Sequence, residues 1–350
     1  HAPHSAVSFS VLFGKVWYEN YNQPTYVWQS SAGNDDFEPK YSLVPLIFGT
    51  LKGTFYAMLF ALPLALLGAI YTSQFARPKY RQWIKNIVEI MAAIPSVVIG
   101  FLVALWLAPL VESWLVSLFL SLLLLPCVFL LFLFFYPRLA QNRRFHQKTK
   151  SNEFLWSIPL LFLAFLLSML LGSLLDAYIF GGNAKLWLYQ HLGIHYDQRN
   201  CIIIAFGLGF AVIPLIFSIS EDALSSVPPS LSAASLALGA SPWQTVWKVI
   251  LPAASPGIFA AVMIGLGRAV GETMIVLMAT GNTPIMDWSI FNGMRTLSAN
   301  IAVEIPEAPV GGSLYRVLFL CAVLLFVMTF IVNTLAEIVR ERLRKKYSPK

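Results

Sequence analysis

The chain has 350 residues, of which 57% are hydrophobic and only 12% charged. Soluble domains carry about 25% charged residues, so this composition excludes a water-soluble enzyme or binding module and points to several membrane-spanning helices. The formal net charge is +7, and Cys127, Cys201 and Cys321 sit singly in or beside apolar runs, which excludes a disulfide framework and a thiolate metal centre.

Residues 1–42 are mixed, with Trp17, Pro24, Trp28 and an acidic run from Asn34 to Glu38. They read as an extracytoplasmic segment packed in part by its aromatics. The chain begins at His1 with no charged leader, which reads as a processed or partial chain. Seven apolar stretches follow, at about 44–73, 87–110, 114–136, 154–176, 201–220, 255–280 and 315–338. Each is long enough for the roughly 20 residues that a spanning helix needs. The first carries Lys52 and Pro63, which predicts a start outside the hydrocarbon or a bend. Leu118–Phe135 is apolar enough to face lipid over much of its surface. Gly207-Leu-Gly209 and Gly265-Leu-Gly267 are small-residue packing patches within spans; no strand precedes them, so they are not dinucleotide loops.

Charge placement sets the orientation. Basic residues crowd one set of loops: Arg77–Lys85, Arg138–Lys150, Lys248 and Arg340–Lys350. The other set, with Lys15, Lys40, Lys185, Arg199, Arg295 and Arg316, is sparser. The positive-inside rule then puts the N-terminal segment outside and the C-terminus in the cytoplasm, together with the loop 221–254. The domain reading is an extracytoplasmic 1–42, a transmembrane body 43–340 and a cytoplasmic basic tail 341–350. The basic runs are solvated cytoplasmic charge beside the bilayer, not a nucleic-acid site. The outer loops 177–200 and 281–314 carry Trp187, Tyr189, Trp288 and Phe291, either as an interfacial belt or as a docking surface for a soluble partner.

Between the fifth and sixth apolar runs lies a polar-to-amphipathic island, Leu231–Ala253. Pro228-Pro229 precede it, Ser230 or Ser232 is placed to cap a first helix, and Gly239 to stop it. Ser241-Pro242 reads as N-cap and first residue of a second helix. Trp243, Val246, Trp247 and Ile250 recur at i, i+3, i+4 and i+7, giving one apolar face, and Leu251-Pro252 is expected to end that helix. An interfacial helix lying on lipid would show a basic polar face, but only Lys248 is present, so a knob that docks in a groove of another protein is favoured.

The sixth run contains Gly267-Arg-Ala-Val-Gly-Glu-Thr-Met274. Arg268 and Glu272 stand at i and i+4, which predicts one shared helix face midway along the span. A charge at that depth costs at least about 2.5 kcal/mol, so it faces the bundle interior or a wet path. A structural salt bridge is one reading. An oxyanion path is the other: Arg268 offers a planar fork of donors and stays charged, while Glu272 limits how tightly an anion is held.

The island Ala233-Ala234-Ser235, Gly239, Val249 and Leu251-Pro252 resembles the EAA loop of binding-protein-dependent ABC importer permeases, with Ala233 where that family usually has Glu. The 267–274 run is similar to phosphate-importer permeases of the PstC type. Pro45–Thr50, Ala93–Val97, Gly209–Pro214 and Ser220–Leu224 extend the likeness, whereas 112–180 offers fewer landmarks. The resemblance implies an all-α polytopic membrane protein, a MetI-like permease bundle of about seven transmembrane helices in the inner membrane. It implies coupling to the ATPase through Ala233, Ala234, Ser235, Gly239, Trp243, Trp247, Leu251 and Pro252, and a substrate path through Arg268, Glu272 and Thr273. Its implied partners are a PstA-like second permease subunit, two ABC ATPase subunits holding ATP and Mg, and a periplasmic phosphate-binding protein. This chain is then no enzyme and binds no cofactor. Other readings are a permease for another oxyanion, the PstA-like partner itself, a secondary transporter, or a membrane adaptor or sensor that docks a partner without transport.

Overall fold

The computed structural model describes residues 7–19, 21–31, 38–139 and 153–347. The acidic residues 34–37, the basic Arg143, Arg144, Lys148 and Lys150, and the last three residues of the tail lie outside the described residues. Two compact units form. One combines the stretch up to Leu105 with Arg199 onward; the other is Trp106–Gln198.

The first unit opens with α1 (Phe9–Phe13) and a short antiparallel ribbon, β1 (Trp28–Gln29) with β2 (Lys40–Tyr41), Trp28 opposite Tyr41. Leu12, Trp28 and Tyr41 pack into one apolar cluster with Leu43, Leu46, Leu297 and Leu318, so the N-terminal segment is part of this unit's core. Next comes α2 (Val44–Ile70), followed by a π-helical turn, then α3 (Pro78–Ala93) and α4 (Ser96–Leu102). The second expected span is corrected here. Ile94 takes an extended ψ of 126° ahead of Pro95, the conformation a pre-proline residue favours, so 87–93 belongs to an amphipathic helix that ends there and the span is Ser96–Ser113.

The second unit takes over within that span, with α5 (Ala108–Ser113), α6 (Leu115–Leu139), α7 (Glu153–Ile179) and α8 (Ala184–Leu192). Helices α6 and α7 pair as a hairpin. Gly172 sits where a Cβ would fall 2.3 Å from the Ser117 Cα, and the Ser117 hydroxyl donates to the Met169 carbonyl at 3.2 Å. Both expose rows of Leu and Phe, as the lipid-facing expectation for 118–135 requires.

Back in the first unit, α9 (Cys201–Ser225) is capped by Asn200, whose side chain accepts from the Ile202 and Ile203 amides. It is followed by α10 (Pro229–Ala237), α11 (Pro242–Thr245), α12 (Leu251–Gly271), α13 (Met274–Ala279), α14 (Leu297–Glu304) and α15 (Ser313–Tyr347). The expected boundary at residue 340 falls inside α15, so the described part of the basic tail continues a helix. Seven helices among the described residues are long and apolar enough to cross a membrane, and the chain is an all-α polytopic membrane protein.

Helices α2 and α9 form the centre. The buried face of α2 is built of small residues, Gly49, Gly53, Ala57, Ala61, Ala65 and Ala69, which lets a neighbouring backbone come close. The two run parallel: Phe60 meets Phe206 at 4.6 Å, Gly68 abuts Phe217, and Gln74 donates to the Leu224 carbonyl. Helix α12 lies antiparallel on α9, with Gly265 against Ile216 and Gly257 against Ala223. Lys52 is fully buried within the unit, and Pro63 lies inside α2.

Candidate functional site

The knob between α9 and α12 folds as the turn chemistry dictates. Pro229 is the first residue of α10, and neither Ser230 nor Ser232 caps it. Ser232 instead donates back to the Pro229 carbonyl, because Pro228 already holds the extended cap geometry. Gly239 has φ 83°, its amide bonds the Leu236 carbonyl and that of Ala240 bonds Ser235, which is a Schellman stop. Ser241 and Gln244 then form a capping box at the start of α11. A hydroxyl pair, Ser235 with Thr245 at 2.9 Å, ties the two helices together.

The expected apolar face splits in two. Val246 and Ile250 are buried, whereas Trp243 and Trp247 are half exposed and meet edge to face at 5.6 Å. With Leu231, Leu236 and Leu238 (89% exposed) they leave an uncovered apolar surface on the knob. Ala233 and Ala234 are exposed as well. Leu251-Pro252 does not end the second helix. A π-helical turn at Val246–Ile250 carries α11 into α12, and Pro252 sits at the start of α12, where its missing N–H and its ring are accommodated by the wider turn. One helical run therefore extends from Pro242 to Gly271, 30 residues.

That run ends at the expected path residues. Glu272 takes an extended ψ of 128° as the cap of α12, and Thr273 precedes α13. Arg268 and Glu272 therefore do not share a helix face, and no ion pair joins them among the described residues. The reason is tertiary. The Glu272 carbonyl, freed from the helix ladder, accepts from the Ser298 hydroxyl at 2.9 Å, and α13 turns to pack against α4, where Gly100 lets the backbones approach. Arg268 is exposed in the last turn of α12. It lines a groove of about 430 Å3 with Gly267, Asn333, Glu337 and Arg340, between α12 and α15. Thr273 is half-buried and donates its hydroxyl to the Gly271 carbonyl.

Two charge clusters were not foreseen. Glu221 near the end of α9 is fully buried and pairs with Arg81 (2.6 Å) and Lys85 of α3, while Ser225 donates to it at 2.9 Å. At the other end, Glu304 accepts from Trp28 (3.0 Å), Ser30 (2.8 Å) and Arg295 (2.6 Å), locking the N-terminal segment onto the loop 281–312. Burial lowers the Arg295 pKa from its ordinary value, and Glu304 opposes that shift. Spacing gave no sign of either cluster, since the partners lie far apart in the chain. The second unit has its own cavity of about 590 Å3, lined by Glu112, Asp176 and Lys185 among others, which contains none of the candidate path or coupling residues.

Residues 151–345 match the family described as binding-protein-dependent transport system inner membrane component. The chain is 27% identical to the "Probable ABC transporter permease protein YqgH" of Bacillus subtilis, over 88% of this chain and 74% of that protein. It is 26% identical to the "Phosphate transport system permease protein PstC" of Pasteurella multocida, over 97% and 83% of the two chains. A solved chain of the MetNI methionine ABC transporter in an inward-facing conformation is similar at 17% identity and TM-score 0.47, over 86% of this chain and 95% of that one.

Proposed function

This chain belongs to the binding-protein-dependent transport system inner membrane component family, and from that premise we propose that it is the PstC-type subunit of an ATP-driven importer that carries inorganic phosphate into the cytoplasm. As a member of that family it is a multi-pass permease subunit of an ABC importer. The phosphate assignment draws on the PstC relatives and on one observation above all: the helix carrying Arg268 breaks at Glu272-Thr273. Broken helices with a charge beside the break suit a binding step inside the membrane, because irregular backbone is tolerated there only against protein or water.

In this reading Arg268 meets phosphate oxygens with paired N–H donors, while the Glu272 carboxylate accepts a hydrogen bond from a protonated phosphate and its charge keeps binding weak enough for release. Thr273 offers a hydroxyl at the break. The knob residues Ala233, Ala234, Ser235, Gly239, Trp243 and Trp247 dock an ATPase subunit in the cytoplasm, and Leu251-Pro252 join the dock to α12. The continuous run from Pro242 to Gly271 is about 45 Å of helix, a rod from the dock to Arg268. ATP and Mg belong to two ATPase subunits and not to this chain. A PstA-like permease completes the path, and a periplasmic phosphate-binding protein delivers substrate on the outer side, where the N-terminal segment lies.

The test is phosphate uptake by the purified complex in vesicles. Arg268→Lys keeps the charge but loses the paired contact, and uptake should fall about tenfold or more, the worth of a charge-assisted hydrogen bond. Arg268→Met with Glu272→Met should assemble and hydrolyse ATP without moving phosphate. Near-wild-type uptake by the double variant overturns the path assignment.

A further inference from the structure

Lys52 has no part in the path described above. It is 0% exposed, lies eight residues into α2, and its ammonium nitrogen has no hydrogen-bond partner among the described residues. A buried cation without a direct ion-pair partner is costly to keep. Its polar neighbour is the sulfur of Cys201, a weak acceptor whose own hydrogen goes to the Asn292 carbonyl at 3.1 Å. Asp287 shares this neighbourhood and is engaged elsewhere, accepting from the Ser289 amide (2.9 Å) and the Asn292 side chain (2.6 Å).

The cover over Lys52 is a strap, residues 281–296, between α13 and α14. It crosses α2 on the face of Phe48, Lys52, Phe55 and Tyr56, which are spaced as helix neighbours. Trp288 meets Phe48 and Phe55 edge-on at 5.0 and 6.0 Å, and its carbonyl accepts from the Tyr56 hydroxyl at 2.6 Å. The strap opens on two left-handed residues, Gly281 and Asn282. Beyond its end, the Leu297 amide bonds the Thr50 hydroxyl and the Ser298 hydroxyl bonds the Glu272 carbonyl. The strap also carries side-chain oxygens without partners, on Asn282, Thr283 and Asn292. It thus links the turn of α2 that bears Lys52 to the break that bears Glu272.

We propose that Lys52 is a second anion station, closed here by the strap, which takes an oxyanion of the phosphate class from the outer side when the strap lifts and passes it toward Arg268. This rests on the phosphate-path reading. An ammonium that sits in no direct ion pair has three donors for an incoming dianion. The segment over it is held by the Trp288 ring contacts, by the Tyr56 and Cys201 bonds to strap carbonyls and by the Arg295–Glu304 pair, which keeps it from leaking anions between cycles.

Phosphate uptake and ATPase activity of the reconstituted complex test this with Lys52→Met and Lys52→Arg. The Met variant should assemble and hydrolyse ATP yet lose about tenfold or more of its uptake, as loss of a charged contact predicts, and Arg should restore part of it. Uptake by Lys52→Met within about twofold of wild type, against the tenfold that one lost charged contact implies, overturns the proposal while leaving Arg268 standing. No phosphate uptake by the wild-type complex overturns both readings. Should Lys52→Met not assemble, Lys52→Cys in a background without Cys127, Cys201 and Cys321 decides. An anionic thiol reagent should label it during ATP turnover with the binding protein, and inorganic phosphate should slow the labelling. Labelling that is absent, or that phosphate does not slow, overturns the proposal.

Discussion

At position 239 the backbone adopts φ 83°, and a Cβ there would meet nothing within 4 Å. The demand for glycine is therefore conformational, not one of space. A β-branched residue in this region costs about 1–2 kcal/mol, and Asn costs less because it tolerates the left-handed region. Gly239→Val should weaken co-purification of the ATPase while Gly239→Asn largely keeps it; equal recovery of both at the wild-type level would count against a docking role for the knob. Glu221 is a different case. It is fully buried, and the Arg81 and Lys85 side chains it holds are about a third exposed. Those cations can turn to water when the carboxylate is lost, so the cost of Glu221→Gln lies below that of a wholly buried pair, about 1–3 kcal/mol. A drop in the thermal midpoint of the solubilised protein measures it, and an unchanged midpoint contradicts the pairing.

Among the elements, the run from α11 through the π-helical turn into α12 connects local structure to mechanism. A stiff helix transmits a push from one end to the other, whereas a helix that ended at Pro252 would leave a joint between dock and path. The knob has the anatomy of an interface centre, with two half-exposed indoles and three leucines and little charge. Central aromatic anchors are each worth about 2 kcal/mol or more on truncation. Trp243→Ala with Trp247→Ala should therefore reduce ATPase affinity by well over tenfold, while phosphate-independent insertion of the spans stays intact. Binding of purified ATPase to detergent-solubilised permease reads this directly, and unchanged affinity excludes the two indoles from the dock.

For the whole molecule, the parallel course of α2 and α9 carries a topological consequence. Two parallel spans require an odd number of crossings between them, and the spans at Ser96–Ser113, Leu115–Phe132 and Ile158–Ile179 supply three. The same argument puts Arg81, Lys85 and Glu221 at one end of the first unit and Trp28, Arg295 and Glu304 at the other, in agreement with the sides that the charge bias predicts. Labelling of intact cells with an impermeant thiol reagent tests which end is cytoplasmic. In a background without Cys127, Lys79→Cys should be protected and Val310→Cys should react, since both positions are exposed and lie at opposite ends. The reverse pattern inverts the topology and removes the ATPase-docking assignment.

Seven spans, the sidedness bias, the Ser241-Pro242 helix start and the stop at Gly239 were readable in the sequence, because each depends on local composition or on a backbone preference of one or two residues. The position of Arg268 was not: pattern placed it midway along the run 255–280, whereas the helix ends at Gly271 and leaves Arg268 in its last turn. Tertiary structure decided the rest. Pattern alone continued the helix through Glu272, but a bond from Ser298, 26 residues away, and the packing of α13 on α4 ended it there. Pro252 looked like a terminator until a π-helical turn, invisible to a 3.6-residue period, carried the helix past it. Lys52 read as a sign that the span starts outside the hydrocarbon or bends, and its full burial, beside Cys201 and next to the face that the 281–296 strap crosses, was not legible, since burial is a property of what covers a side chain and not of the residue's own neighbours in sequence.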